Sequence, residues 1–214
     1  MDRCKSREHA VTYRSLSDKD IDPLSCLVAK TWLEDDPLSR SEALALAKGY
    51  LTRELASSDY VCVAEIDGRP VGILAARDLK KHTSRMHYWR MALHALMRGA
   101  LSRAGFDDVV QFVKTERLDE RMLKASGRKF DASIALLAVD RDEKGMGIGG
   151  SLYNHFLDYL RQMNRRSFYL FTDSYCDYRF YEHKGLTCIG KEGFLWTTGD
   201  KAESSEFYMY ANLA

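Results

Sequence analysis

The residues with the clearest chemical potential lie together at Lys144-Gly145-Met146-Gly147-Ile148-Gly149-Gly150-Ser151. Four glycines in the six positions from Gly145 to Gly150 separate an apolar run from an amphipathic one. Glycine lets successive backbone N–H groups turn to one side, and a helix beginning there adds unpaired donors and about half a unit of positive charge. Without side chains in the way a ligand can approach closely, so the segment predicts a cradle for a phosphate-bearing molecule. Gly145, Gly147 and Gly150 also satisfy G-x-G-x-x-G, with Asp173 placed 23 residues later, which raises a dinucleotide-binding reading. Other reactive side chains give less. Cys4, Cys26, Cys62, Cys176 and Cys188 are odd in number and contain no C-x-x-C pair, so neither a zinc site nor a disulfide framework is expected. Cys176 has no His or acid constellation in its sequence neighbourhood and is read as structural. His87 and His94 are seven apart, whereas metal ligands on one helix want three or four, so these and His82 read as surface or interface histidines.

The elements that position the glycine segment follow from periodicity. Ser133–Val139 is almost wholly apolar and suits a central strand buried on both faces. After the glycines, Ile148, Leu152, Phe156, Tyr159, Leu160 and Met163 mark one side of a helix, and Ser167–Thr172 is the next strand. A short helix around Asp177–Lys184 stops at Gly185, and Thr187–Gly190 and Phe207–Leu213 close the chain as strands. Toward the N-terminus, Val11–Leu16 reads as a strand. Ser17 and Asp20 resemble a helix start ahead of Leu24, Leu27, Val28 and Trp32. A second helix begins near Ser41 and carries Leu44, Leu46, Leu51 and Leu55. Tyr60–Ile66 and Val71–Ala76, joined through Asp67-Gly68, predict an antiparallel hairpin. Within residues 78–130, Trp89, Ala92, Leu93, Leu96, Met97, Ala100 and Leu101 fit a helix ended by Gly105. A further helix spans Asp107 to Lys124 with Val110, Val113, Leu118 and Met122 as inward positions. The resulting order is β, two helices, a hairpin, a helical insertion, then β-α-β-α-β-β. It predicts an α/β (α+β) domain over 1–214 with a mixed, mostly antiparallel sheet flanked by helices.

Composition narrows the function classes. With 214 residues, 32 Lys and Arg against 31 Asp and Glu, and 45% hydrophobic residues, the chain has no global field for nucleic acid or an anionic membrane. The first residues carry no apolar signal region and no apolar run approaches a membrane span, so a reducing cytoplasm is the expected compartment. The near-zero total hides one local excess: Arg77–Arg103 holds seven Lys and Arg against the single acid Asp78. This basic stretch reads as a solvated helix face or as a wall for an acidic ligand.

The order of elements and two motifs resemble the GNAT superfamily of N-acetyltransferases. Lys144-Gly145-Met146-Gly147-Ile148-Gly149 fills the family's Q/R-x-x-G-x-G/A loop after a central strand, with Lys at the first position. Phe180-Tyr181-Glu182-His183-Lys184-Gly185-Leu186 is similar to its "fYek-GF" segment. The match takes in residues 10–77 and 131–213. A dinucleotide fold fits less well, because five polar residues intervene between strand and glycines and a hairpin precedes a single β-α-β unit. The resemblance implies a GNAT fold with the helical insertion at 78–130, and acetyl-CoA as co-substrate with no metal. It also implies direct transfer of acetyl to an amine of a small molecule or peptide. It implies cofactor contacts from the main chain of Leu137, Ala138 and Val139, from Lys144 through Ser151, and from Ser174, where relatives often carry Asn. It makes Tyr181 the acid that protonates the leaving thiolate. Ser133 stands where many relatives place a Glu base, and Ser is no base at neutral pH unaided. Asp131, at the strand entrance, reads as an exposed carboxylate. A CoA-binding module without catalysis is therefore the second reading. The insertion reads as an acceptor wall, a cover for the sheet, or a homodimer contact.

Overall fold

The computed structural model describes residues 10–34, 37–198 and 201–213; Cys4 lies outside them. The elements run β1 (Thr12–Ser15), α1 (Ile21–Trp32), α2 (Arg40–Ala56), β2 (Tyr60–Ile66), β3 (Arg69–Asp78), α3 (Met86–Gly99) and α4 (Arg103–Ala125). They continue with β4 (Ala132–Val139), α5 (Ile148–Gln162), β5 (Phe168–Asp173), α6 (Arg179–His183), β6 (Thr187–Thr198) and β7 (Lys201–Ala211). The sheet has the order β1-β2-β3-β4-β5-β7-β6, in which only β4 and β5 run parallel. This is the mixed, mostly antiparallel sheet expected from the pattern, and it removes the dinucleotide reading, which needs repeated parallel units.

Local signals act where the chain order places them. The Asp20 carboxylate accepts the Ser17 backbone N–H at 2.8 Å and opens a short 3₁₀ turn before α1. Arg14 holds the same carboxylate through both terminal nitrogens, at 2.6 and 2.9 Å. Ser39 caps α2 with Glu42 in a reciprocal capping box. Asp67 and Gly68, with φ of 50° and 80°, turn the β2–β3 hairpin. Leu152, Phe156 and Leu160 of α5 pack one face of the sheet against Leu74, Ile134 and Phe168. Leu24 and Val28 of α1 and Leu46, Leu51 and Leu55 of α2 cover the other at Ile73 and Ala75. Leu118 and Met122 of α4 form a third cluster with Tyr169, Phe207 and Met209 beneath the far end of that same side.

Four expectations need correction. Trp32 is 40% exposed, because α1 ends there and its last turn leaves the sheet. α3 does form, but the side marked by Trp89, Leu93 and Met97 faces outward, and Tyr88, Ala92, Ala95 and Gly99 are buried. The reason is close backbone approach to α2: a Cβ at Gly49 would fall 2.6 Å from Leu96 side-chain atoms, and one at Gly99 2.6 Å from those of Leu46. Hydrophobic period identifies a helix but does not choose between adjacent faces when small residues make the contact. Gly105 does not end that helix; it sits in the first turn of α4, where a Cβ would meet the Gly99 carbonyl oxygen at 2.0 Å, and Ser102 caps it by accepting the Gly105 N–H at 3.1 Å. The last two strands extend far beyond the predicted segments into a hairpin paired from Thr187↔Ala211 to Thr198↔Lys201. Its outer half is polar on one side and carries α4 on the other, so it lacks the continuous apolar run used to find it. No helix of the described residues is long and apolar enough to cross a membrane.

Candidate active site

The site is built around the C-terminal half of β4. Toward β3 the strand is paired along its whole length, with Ala135 as an extra residue between Leu136↔Ala75 and Ile134↔Ala76. Toward β5 pairing ends early, at Ile134↔Leu170, and beyond that the parallel strands splay. The Asp140 N–H donates to the Val71 carbonyl at 2.8 Å, so alternation turns Ala138 toward β3 and leaves the backbone groups of Leu137 and Val139 facing the gap. A Cβ on Gly72 would lie 3.3 Å from the Ala138 oxygen, which places that carbonyl on the β3 side as well. Of the three strand residues predicted to offer backbone contacts, two thus have free groups at the splay and Ala138 does not.

The five polar residues after β4 form a fixed bridge. Asp140 receives Lys30 at 2.8 Å and Arg69 at 3.1 Å, Lys30 reaches Asp142 at 2.6 Å, and Arg69 reaches Glu143 at 2.5 Å. Against the upward push of burial, these partners hold the Asp140 carboxyl below its ordinary range. The bridge delivers the chain to Gly145 and Gly147, whose φ values of 91° and 72° favour glycine. Gly147 is the N-cap of α5, and the first intrahelical bond runs from Ser151 N–H to the Gly147 oxygen at 3.0 Å. The N–H groups of Ile148, Gly149 and Gly150 precede that bond and are free for a ligand. The Ile148 side chain is core, so only its backbone faces the loop; Met146 and Lys144 are exposed. One unpredicted charge joins them: the Lys184 amine stands 3.3 Å from where a Gly150 Cβ would be, over the rings of Tyr153 and Phe180. A cation beside the positive end of a helix is suited to sharing an anion with it.

Tyr181, on α6, is buried beside Phe180 and Tyr210, and burial, with Cys176, Asp177 and Tyr153 nearby, raises its pKa. It is therefore held in the protonated form, the form able to donate to a leaving sulfur. Cys176 is pushed up to about 11 by burial and by Asp173, which fits the structural role read from sequence and not a thiolate nucleophile. Ser174 points elsewhere than expected: its hydroxyl accepts the Glu206 N–H of β7 at 3.2 Å. Asp131 is not a free exposed carboxylate but a loop staple. It takes Lys80 at 2.6 Å and the N–H groups of Arg166 and Ser167 at 2.8 and 3.2 Å, and these hold its pKa well below the usual range.

Ser133 is 4% exposed, opposite Arg77 on β3 and beside Tyr169 on β5. Around it lies a polar cluster that no sequence motif marks. Arg53 and Glu54 come from α2, Arg77 from β3, Asp173 from the end of β5, and Glu116 and Asp119 from α4. Arg53 pairs with Glu116 and, at 2.5 Å, with Glu54, which also takes Arg77. Asp119 has no such partner: its Oδ1 is buried without a hydrogen bond, as is Nε of Arg77. Burial first, then Glu116, Glu54 and Asp173, push the Asp119 carboxyl up to about 8. A sequence signal existed, since Asp119 sits four residues after Thr115 and three before Met122, both buried on α4. Among the described residues, no group of His, Cys, Asp and Glu is arranged to hold a metal ion.

Comparison with known proteins places this geometry. The sequence profile of the Acetyltransferase (GNAT) family matches residues 104–186, from the first turn of α4 to the start of β6. No curated protein sequence matches the chain. Among solved structures, Ard1 from Thermoplasma volcanium is 23% identical with a TM-score of 0.52, covering 95% of this chain and 97% of its own. The ribosomal-protein-S18-alanine N-acetyltransferase of Escherichia coli is 13% identical at TM-score 0.54, covering 94% and 92%. The polyamine N-acetyltransferase of Drosophila melanogaster is 11% identical at TM-score 0.54, covering 94% and 99%.

Proposed function

From the GNAT acetyltransferase fold that this chain has, we propose that it is an acetyl-CoA-dependent N-acetyltransferase acting on an amine of a small molecule or peptide. The observation that carries this reading is the adjacency of the β4–β5 splay to the Gly147 helix start. One offers backbone groups of Leu137 and Val139 to the amides of a pantetheine arm. The other offers N–H groups and the Lys184 amine to a pyrophosphate. A ligand that fits both must be phosphorylated at one end and amide-bearing toward the other, which is the chemistry of CoA. Tyr181 is the proposed acid for the departing thiolate. The names of the structural neighbours include an alanine of ribosomal protein S18 and polyamines, so both peptide and polyamine acceptors belong in the test.

The experiment is release of CoA thiol from acetyl-CoA across a panel of polyamines, amino acids and peptide N-termini. Turnover on one of them, reduced about 10²-fold or more in Tyr181→Phe, is the expected result. Unchanged turnover in that variant would remove the acid role. The absence of a base at Ser133 favours one second reading, a CoA-binding module without catalysis; CoA binding with no turnover on any amine would support it instead.

A further inference from the structure

We propose that Asp119, on the inserted helix α4, is the general base of this site and that the acceptor it serves is a cationic amine. The inference rests on the acetyltransferase reading above and deepens it. Ser133 stands on β4 beside Tyr169 of β5 and opposite Arg77 of β3, one residue before the last β4–β5 pair. Asp119 follows Leu118, which packs with Tyr169, and its charge acts on that tyrosine from the side of the sheet that also carries Arg77 and Asp173. The insertion thus places a carboxylate where the strand supplies only a hydroxyl.

The carboxylates of the cluster differ in how they are occupied. Glu54 is neutralised by Arg53 and Arg77, and Glu116 by Arg53. Asp173 spends one oxygen on the N–H groups of Tyr175 and Cys176, at 2.9 and 3.0 Å. Asp119 keeps a buried oxygen with nothing bound to it, and a buried acceptor without a donor is costly unless a ligand supplies one. An ammonium group supplies up to three donors and the charge to match. The charges acting on Asp119 are Glu116 on its own helix, Glu54 from α2 and Asp173 from β5; Tyr169 of β5 lies near both Asp119 and Arg77, and Arg53 and Arg77 are taken up by Glu54 and Glu116. Strands β6 and β7 contribute the apolar Phe194, Phe207 and Met209 beside them.

The acceptor R–NH3⁺ gives one proton to the Asp119 carboxylate and becomes R–NH2. The nitrogen lone pair attacks the thioester carbonyl carbon, forming the C–N bond. On collapse the C–S bond breaks, its electron pair leaves on sulfur, and the thiolate takes the Tyr181 proton. The second nitrogen proton restores Tyr181, and Asp119 returns its proton to solvent, for a net release of one proton per acetyl transferred. A base with its pKa near 8 is well matched to an ammonium near 10.

The test compares kcat/KM against pH for the wild-type protein and for Asp119→Asn and Asp119→Glu, with a polyamine and an amino-acid amine as acceptors. Circular dichroism and thermal melting check that each variant is folded. The expected result is a wild-type profile that rises to a plateau above about pH 8, whereas Asp119→Asn has no plateau there and goes on rising with the free-amine fraction toward pH 10, with a loss of about 10²–10⁴-fold at pH 7. Between about pH 8 and pH 10 that deficit shrinks about tenfold for each unit as the amine deprotonates unaided, and Asp119→Glu keeps a plateau. The polyamine is preferred over the amino acid, whose carboxylate meets the acidic wall. A folded Asp119→Asn protein that keeps the wild-type plateau, or whose deficit is equal at every pH up to 10, overturns the base assignment while leaving acetyl transfer intact. A wild-type protein that binds CoA but turns over neither acceptor at any pH overturns the acetyltransferase reading, and this inference with it.

Discussion

The environment that would make Asp119 a useful base should also make it a cost to the fold, and that cost can be measured without any substrate. Its carboxyl titrates near 3.9 in an unfolded chain and at about 8 in the folded one. Below the lower value both states are protonated and nothing is lost. Between the two, the folded state holds a proton that the unfolded state has released, so folding stability falls as pH rises, and above about 8 the loss is complete. Replacing Asp119 by Asn keeps the shape of the neutral acid and abolishes its titration. Every other group is common to both proteins and cancels in their difference. From pH 5 to pH 9 the site should cross about three units of differential protonation. At about 1.4 kcal/mol per unit, the variant should gain on the order of 4 kcal/mol relative to wild type over that interval. Urea denaturation of the two proteins at pH 5, 7 and 9 reads this directly. The reasoning is refuted if the stability difference is the same at all three, or if the variant loses ground as pH rises. A protein that keeps such an acid trades stability for chemistry, as functional sites commonly do.

Two further perturbations address the frame and the cradle. Gly49→Ala, which on an exposed helix would stabilise by about 0.5–1 kcal/mol, should here destabilise by about 1–3 kcal/mol. Its Cβ meets Leu96 at 2.6 Å, and a second change Leu96→Ala should recover part of the loss in chemical denaturation. Gly147→Ala places a Cβ at φ 72° with open space around it, so the expected stability cost is only about 1–2 kcal/mol of backbone strain. The methyl group projects where a phosphate must approach, so CoA affinity measured by calorimetry should fall far more than stability, and equal effects on both would remove the cradle assignment.

How much of this was legible before the structure depends on the range of the interactions involved. Ser17 with Asp20, the Asp67-Gly68 turn and the strand at Ser133–Val139 all act within a few residues, and each forms where its sequence signal lies. The glycine segment is legible for the same reason, since its positive φ values are local demands. The splay is not, because it follows from a bulge at Ala135 and from the place where β5 stops pairing. The polar cluster is still less so: Glu54, Arg77, Asp119 and Asp173 lie on four elements between residues 40 and 173 and carry no motif. Asp119 lies on a helix whose residues Leu118 and Met122 read as inward from their spacing. With Thr115 that spacing turns Asp119 inward, but nothing local says that its carboxyl lacks a partner.

Charge in the insertion shows how a sum along the chain can mislead about a site. Counting residues from Arg77 to Arg103 gives a basic segment and suggests an acidic acceptor. In the fold, Arg90 and Arg98 lie on the outer side of α3, and Arg77 is taken up by Glu54. The inner side of the insertion is α4, and there Glu116 and Asp119 face the sheet. Exposed charges more than a Debye length from a site, about 8–10 Å in physiological salt, contribute little to it. The double substitution Arg90→Gln with Arg98→Gln should therefore leave kcat/KM for a polyamine within about twofold. Asp173→Asn, by contrast, removes a carboxylate facing Asp119 and should raise KM for the same cation. Steady-state kinetics on the two variants decides between the faces. If the arginine pair governs KM and Asp173 does not, the acceptor is bound by the outer, basic side of the insertion, and the cationic-acceptor argument fails.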